Sequence, residues 1–119
     1  MNWTLVTGAA KGLGAAICLE LAKKKYPLII HYNDNFNLAE DLKKKCLSYT
    51  NNVKTVQGDF SKKESLIEFA NKISKDFPRI KNLINNVGNY FVKTSLETSY
   101  NEWLELFQIN FHAPFLLSQ

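Results

Sequence analysis

The chain has 119 residues, which is enough for one domain with a hydrophobic core. Hydrophobic residues make up 45% of it and charged residues 22%, and this composition excludes an intrinsically disordered protein. The formal net charge is +4, with lysines clustered at 23–25 and 43–45, near predicted helix ends, where the helix dipole favours them. We therefore expect no nucleic-acid partner and keep a basic nucleic-acid-binding domain as the weakest alternative.

The cysteines and the apolar segments bear on the compartment. Cys18 and Cys46 fall within predicted helices and lack metal-ligand spacing, so we expect reduced packing residues and no metal site. We find no basic-then-apolar leader and no apolar run of membrane-spanning length. These features predict a cytoplasmic protein with no membrane partner.

Strands and helices alternate in the prediction. Short apolar runs indicate strands, and apolar residues at every third or fourth position indicate the helices that follow them. The predicted strands cover residues 3–7, 28–32, 53–57 and 82–85. The predicted helices cover 13–25, a segment around 38–46, a segment from 61 to Pro78, and a segment from Tyr100 to the end.

Each predicted helix has an apolar face. The first faces are Leu13, Ile17 and Leu21, then Leu38, Leu42 and Cys46, and then Leu66, Ala70, Ile73 and Phe77. A capping box over residues 61–64 is predicted to open the third of these helices. The last helix has Trp103, Leu104, Phe107, Phe111 and Phe115 on its apolar side. Pro114 lies within it and is expected to kink or break it.

This βαβαβαβα alternation predicts an α/β fold with an open parallel sheet and helices on both faces. In a doubly wound, Rossmann-like sheet of strand order 3-2-1-4, the order reverses between the first and fourth strands. Ligands bind at that point, outside the carboxyl ends of the strands. The sequence therefore predicts a ligand site between the segments that follow those two strands.

A glycine-rich loop follows the first strand. Residues 7–14 read Thr-Gly-Ala-Ala-Lys-Gly-Leu-Gly, and a glycine turn that leads into a helix exposes amides able to bind phosphate. The G-x-x-x-G-x-G spacing resembles the cofactor loop of the short-chain dehydrogenases/reductases. The resemblance implies cofactor contacts from these residues: Thr7, Gly8, Lys11, Gly12, Leu13 and Gly14.

Three further segments are similar to that family. Asp59 and Phe60 after the third strand match the place that meets the adenine ring, with a turn residue before a helix as the less favoured interpretation of Asp59. The segment 85–88, Asn-Asn-Val-Gly, is similar to the family's Asn-Asn-Ala-Gly, which implies cofactor contacts from Asn86, Val87 and Gly88. Asn110 matches the asparagine that orders a water in the proton relay, and it is the one candidate catalytic residue.

The resemblance also indicates which cofactor is bound. Family members that use NAD carry an acid at the end of the second strand, where this chain has Tyr32, followed by Asn33. Lys11 stands where NADP-using relatives often have a basic residue that pairs with the 2′-phosphate. Asp34 opposes this interpretation if it points inward. We expect NADP, with NAD as the less favoured cofactor.

The family's chemistry also requires a serine and a tyrosine with a lysine four residues later. None of the five tyrosines has a lysine four residues on. The resemblance spans the chain but only the first half of the family pattern, so we expect residues 1–119 to form one dinucleotide-binding domain that is incomplete at its carboxyl end. The implied function is hydride transfer between NADP(H) and a carbonyl or alcohol substrate, in a homo-oligomer when full-length. The alternative is a non-catalytic nucleotide-binding or regulatory module.

Overall fold

Apolar strands of four or five residues form the centre of the fold. The computed structural model describes residues 1–88, 94 and 96–119. The strands are β1 (Trp3–Val6), β2 (Leu28–Tyr32), β3 (Val53–Gln57) and β4 (Ile80–Ile84). The α-helices are α1 (Gly12–Lys23), α2 (Phe36–Leu47), α3 (Lys63–Asp76), α4 (Tyr100–Phe107) and α5 (Ala113–Ser118), with a π-helical segment, Gln108–His112, between the last two.

The strands form one parallel sheet with the order β3-β2-β1-β4, which confirms the predicted topology. Leu5 pairs with Ile29 of β2 and with Leu83 of β4. β2 is buried along Leu28–His31, as a strand covered by helices on both faces must be. The carboxyl ends of β1 and β4 therefore lie side by side, where the predicted ligand site was expected.

The buried side of α1 differs from the prediction. Gly14, Cys18 and Ala22 are buried, whereas Leu13 is 69% exposed. Of the predicted stripe, only Leu13 was wrong, because Ile17 and Leu21 are half-buried and pack against the core beside Cys18 and Ala22. The small residues allow α1 to approach the glycine loop closely, and a bulky stripe would hold it away. Burial raises the pKa of Cys18 to about 12, so this thiol stays protonated, and both cysteines are free and buried as expected.

The next two helices are also rotated slightly from the prediction. On α2, Ala39 is buried beside Leu42 and Cys46, while Leu38 is 44% exposed. On α3, Leu66, Phe69 and Ile73 are buried and Ala70 is only half-buried. In both helices, packing against the sheet decides which residues are buried. The periodicity of the apolar side chains therefore predicted that a helix forms, but not how it is rotated about its axis.

The predicted capping box at residues 61–64 was wrong. The Ser61 hydroxyl donates to Asp59 Oδ1 at 2.6 Å, and α3 begins after Lys62 without a side-chain cap. A complete capping box occurs instead at α4, where Glu102 N donates to Ser99 Oγ and Ser99 N donates to Glu102 Oε1, both at 3.1 Å. The hydroxyl of Ser61 thus donates to a neighbouring carboxylate and does not cap the helix.

The last helix is interrupted before Pro114, as predicted. Proline has no N–H, so the carbonyl of residue 110 cannot accept an ordinary helical bond from it. The backbone widens there into the π-helical segment before α5 continues. The aromatic side of this helix is uncovered, with Trp103 46%, Phe111 61% and Phe115 69% exposed.

Candidate functional site

A cavity of about 240 Å³ opens at the carboxyl ends of the strands. Nine of the residues predicted to bind a cofactor line it: Gly8, Lys11, Tyr32, Asn33, Asp59, Phe60, Asn86, Val87 and Gly88. The structure therefore brings together segments that follow all four strands. Thr7, Gly12, Leu13 and Gly14 do not line the cavity itself, because they belong to the loop and helix start beside it.

The glycine loop leaves only part of its backbone available to a ligand. The amides of Thr7, Gly8 and Ala9 donate within the protein, to Ile84 O at 3.0 Å and to His31 Nδ1 and O, each at 2.9 Å. The first amides of α1, beginning at Gly12, have no intrahelical partner by the geometry of any helix. Gly8 and Gly12 both have φ +60°, a conformation suited to glycine, which aims this turn outward. An anion would therefore contact the start of α1.

Thr7 and Asn86 hold the glycine loop against the segment after β4. The buried Thr7 hydroxyl accepts from Asn86 N at 2.9 Å and from Val87 N at 3.3 Å. The Asn86 side chain donates through Nδ2 to Gly8 O at 3.1 Å. Thr7 is 1% exposed, so it acts on a ligand only by positioning its neighbours.

Asp59 is engaged in a local turn at the edge of the cavity. Its Oδ1 accepts from Ser61 N at 3.0 Å and from Ser61 Oγ at 2.6 Å. Bonding to the Ser61 side chain lowers the pKa of this carboxyl, with a smaller contribution from the positive charge of Lys62, so Asp59 carries a negative charge at neutral pH. The turn interpretation and the cavity interpretation of Asp59 are therefore compatible. Phe60 is 4% exposed and stacks on His31, which leaves it mainly a positioning role.

The end of β2 supplies the polar rim of the cavity. Tyr32, Asn33 and Asp34 all line it, and so does Lys11 from the glycine loop. Gln57 donates to Asn33 Oδ1 at 3.2 Å, which ties this rim to β3. At the end of β2 the rim carries the carboxylate of Asp34, in addition to that of Asp59, and Lys11 supplies an ammonium group, so these charges have opposite effects on a 2′-phosphate.

Asn110 lies in the π-helical segment, half-buried, near the end of the cavity where Gly88 is found. A Cβ added to Gly88 would lie 3.5 Å from Asn110 Oδ1, and the neighbouring Ile109 lines the cavity. π-helical turns are frequent at functional sites. Residues 90–95, where the family resemblance implies substrate-side residues, lie outside the described part of the chain except for residue 94.

His31 is a site residue that the sequence analysis did not single out. It is 2% exposed, and its ring bonds Gly8 through Nδ1 at 2.9 Å and Gly58 O through Nε2 at 2.8 Å. Burial lowers the pKa of this imidazole to about 4, partly opposed by the bond to Gly58 O. The available signal was a polar residue inside an otherwise continuous apolar strand.

We expect the stability of the protein to fall between pH 6.5 and 4 because of His31. Over that window the unfolded chain binds a proton on this ring that the folded chain does not, so the free energy of unfolding decreases as the pH falls. The contribution is about 3 kcal/mol, present in full above pH 6.5 and lost towards pH 4. Urea denaturation at a series of pH values measures it.

The control for this pH dependence is the exposed histidine, His112. His31→Asn should flatten the pH dependence of unfolding between pH 6.5 and 4, and His112→Asn shows how much of any change comes from removing a histidine elsewhere. Identical pH profiles for wild type and His31→Asn would contradict the assignment.

The other features of the described residues are weaker candidates for a ligand site than this cavity. A larger groove of about 540 Å³ runs along β4, α3 and α5, where Asn85 Nδ2 donates to Ser118 Oγ at 3.3 Å. It lacks the glycine-rich backbone of the first cavity. Within the ranges that the structure covers, no cluster of three His, Cys, Asp or Glu side chains could hold a metal ion. Over the same ranges, each helix is too short or too polar to cross a membrane.

Comparison with known proteins extends over the whole chain. The sequence model of a family described as short chain dehydrogenase matches residues 2–119. YtkK of Bacillus subtilis is 32% identical, over 98% of this chain and 47% of its own length. A 2-dehydro-3-deoxy-D-gluconate 5-dehydrogenase of Pseudoalteromonas atlantica is 30% identical, over 97% of this chain and 45% of its own.

A solved structure shows the same fold. A metagenomic short-chain oxidoreductase in complex with NADP superposes with a TM-score of 0.87 at 25% identity, covering 98% of this chain and 52% of the other. The chain thus spans about half the length of the relatives it matches.

Proposed function

The chain belongs to the short-chain dehydrogenase family, and from that premise we propose that it forms the NADP(H)-binding part of an oxidoreductase. The observation that carries the proposal is the start of α1 next to the cavity-lining Lys11, where Gly12 has φ +60° and the first helical amides have no partner within the helix. The dinucleotide phosphates would bind these amides, and the adenosine end would lie between the end of β2 and Asp59. The nicotinamide would then lie towards Val87, Gly88 and Asn110.

A bound nicotinamide would supply the hydride that passes to or from a carbonyl or alcohol carbon. The protein's part is to bind and orient the cofactor. Thr7 and Asn86 would fix the glycine loop through their bonds to Val87 N and Gly8 O. We propose that Asn110 holds a water for proton transfer, which its place beside Gly88 supports.

We propose NADP as the preferred cofactor. Lys11 lies at the cavity and is exposed, so its ammonium group can reach a 2′-phosphate. Tyr32 stands at the end of β2, where a carboxylate would repel that phosphate. The NADP in the metagenomic relative supports the same choice, whereas Asp34 at the rim opposes it. Titration of one sample with NADPH and with NADH decides the preference.

Gly12→Val tests the proposed binding site. A Cβ at Gly12 meets nothing within 4 Å, so the variant should fold, with a strain cost of about 1–2 kcal/mol from φ +60°. The added side chain would occupy the space where phosphate binds. We expect the enhancement of NADPH fluorescence seen with wild type to disappear.

The matched control adds the same side chain to the first turn of another helix. Asn37→Val lies in α2, is exposed, and does not line the cavity. It should bind NADPH as wild type does. Unchanged binding by folded Gly12→Val would show that the ligand binds elsewhere, and the proposal would fail.

The 119 residues have no tyrosine followed four positions later by lysine. We therefore propose that this chain on its own binds the cofactor without turnover. The same observation favours a second candidate, a nucleotide-binding or regulatory module without catalysis. Binding without any carbonyl reduction by the native full-length protein would select that candidate. We further propose a cytoplasmic location and, in the full-length form, a homo-oligomer.

A further inference from the structure

His31 lies where three of the segments around the cavity meet. The loop after β1 contributes Gly8, the loop after β3 contributes Gly58, and His31 itself ends the buried part of β2. Its carbonyl accepts from Ala9 N at 2.9 Å, so the residue holds two successive amides of the glycine loop. The ring is the one side chain seen to bond both loops among the residues that the structure describes.

The two bonds fix the protonation state of the ring. Gly8 offers a backbone N–H, so Nδ1 of His31 must accept, and Gly58 offers a carbonyl, so Nε2 must donate. Only the neutral ring with its proton on Nε2 satisfies both partners. A buried ring with both nitrogens hydrogen-bonded links two parts of the backbone and does more than fill space in the core.

Aromatic packing holds the ring in place. Phe60 stacks on it at 4.1 Å between centroids with an interplanar angle of 7°, and Phe69 meets it edge-on at 5.0 Å. Gly58 is confined by the same cluster, since a Cβ there would lie 2.7 Å from Phe69. The ring, its two partners and α3 therefore form one rigid connection.

We propose that His31 is the positioning residue of the dinucleotide site, fixing the glycine loop through the bond that Nδ1 accepts from Gly8 N. The inference rests on the proposed function. By taking the Gly8 N–H, the ring withdraws that amide from the ligand and directs the phosphates to the start of α1. The bond to Gly58 O keeps the ring proton on Nε2, so that Nδ1 stays free to accept from Gly8 N.

Two variants separate the two bonds. In His31→Asn, the side-chain oxygen lies as far from the backbone as Nδ1 does and can accept from Gly8. In His31→Gln, the terminal amide reaches the position of Nε2 and can donate to Gly58 O. His31→Phe keeps the ring volume and the stacking but has neither bond.

NADPH affinity should follow the Gly8 bond. We expect His31→Asn to bind NADPH within about threefold of wild type, and His31→Gln and His31→Phe to bind it about tenfold more weakly, as the loss of one anchoring hydrogen bond implies. Wild-type affinity in folded His31→Gln would overturn the proposal. Equal losses in the Asn and Gln variants would overturn it too, because a merely structural role predicts no difference between them.

Nuclear magnetic resonance of the ligand-free protein gives a second readout, one that needs no cofactor. The wild-type ring should show the neutral Nε2–H form, and the Gly8 amide should exchange with solvent faster in His31→Gln than in His31→Asn. A ring protonated on Nδ1 would refute the inference even if every variant failed to fold. If wild type binds no dinucleotide but these spectra are as expected, the proposed function fails while the loop connection stands.

Discussion

Gly14→Ala is expected to lower the free energy of unfolding by at least ~3 kcal/mol and to abolish NADPH binding. A Cβ on Gly14 would lie 2.5 Å from Gly8 O, 2.7 Å from Asn86 Nδ2 and 2.8 Å from Ala9 Cα. Two of these atoms are backbone, and the third is the amide that bonds Gly8 O. The start of α1 would have to move away from the glycine loop. Urea denaturation and NADPH titration measure the two effects.

The matched control is Gly12→Ala, two residues earlier in the same turn. It adds the same methyl group where nothing lies within 4 Å, and it costs only the strain of φ +60°, about 1 kcal/mol. The difference in the free energy of unfolding between the variants therefore isolates the close approach of α1, and NADPH binding is not compared because Gly12 lies at the proposed phosphate site. An alanine normally stabilises a helix interior relative to glycine, so a neutral or stabilising Gly14→Ala would contradict this packing.

Thr7→Val is expected to cost about 3 kcal/mol and to weaken NADPH binding at least tenfold. Valine has the same shape but no hydroxyl, so the amides of Asn86 and Val87 lose their acceptor. Each partly buried amide left unpaired carries a penalty of about 1–3 kcal/mol. The segment after β4 would then lose its register against the glycine loop. Thermal denaturation and NADPH titration report the loss.

Thr7→Ser is the control because serine keeps the hydroxyl and removes only the methyl group. It should retain near-wild-type affinity for NADPH and lose only about 1 kcal/mol of stability. Equal loss of affinity in the Ser and Val variants would show that the methyl group, and not the hydroxyl, positions the loop.

The sequence predicted the sheet well because its signals are local. The apolar run at 28–32 and the turn residues around it are enough to identify β2, and the alternation of elements is enough to indicate a parallel sheet. The strand order 3-2-1-4 was likewise predicted and is confirmed by the pairing of β1 with β2 and β4. The glycine loop was found in the same way, from spacing within eight residues.

The rotation of the helices about their axes and the hydrogen-bond partners of polar side chains could not be predicted from local patterns. Periodicity placed Leu13 inside, but the close approach at Gly14 turns Leu13 outward. Ser61 was predicted to form a capping box, because the local pattern does not show the turn in which its hydroxyl bonds to Asp59 instead. The bridging role of His31 was not predicted, because its partners, Gly8 and Gly58, lie 23 and 27 positions away in sequence. These features depend on tertiary contacts that no local pattern encodes.

The bond between the Thr7 hydroxyl and Asn86 N joins residues 79 positions apart. Closing so long a loop costs more entropy than closing the shorter connections between β1, β2 and β3, so we expect this contact to form after theirs. We expect β4 and the segment behind it to dock late in folding, onto a core of β1, β2 and β3 assembled through shorter connections. The cofactor would then bind only molecules that have completed this last step. Cofactor binding would therefore distinguish fully folded molecules from those in which β4 has not docked.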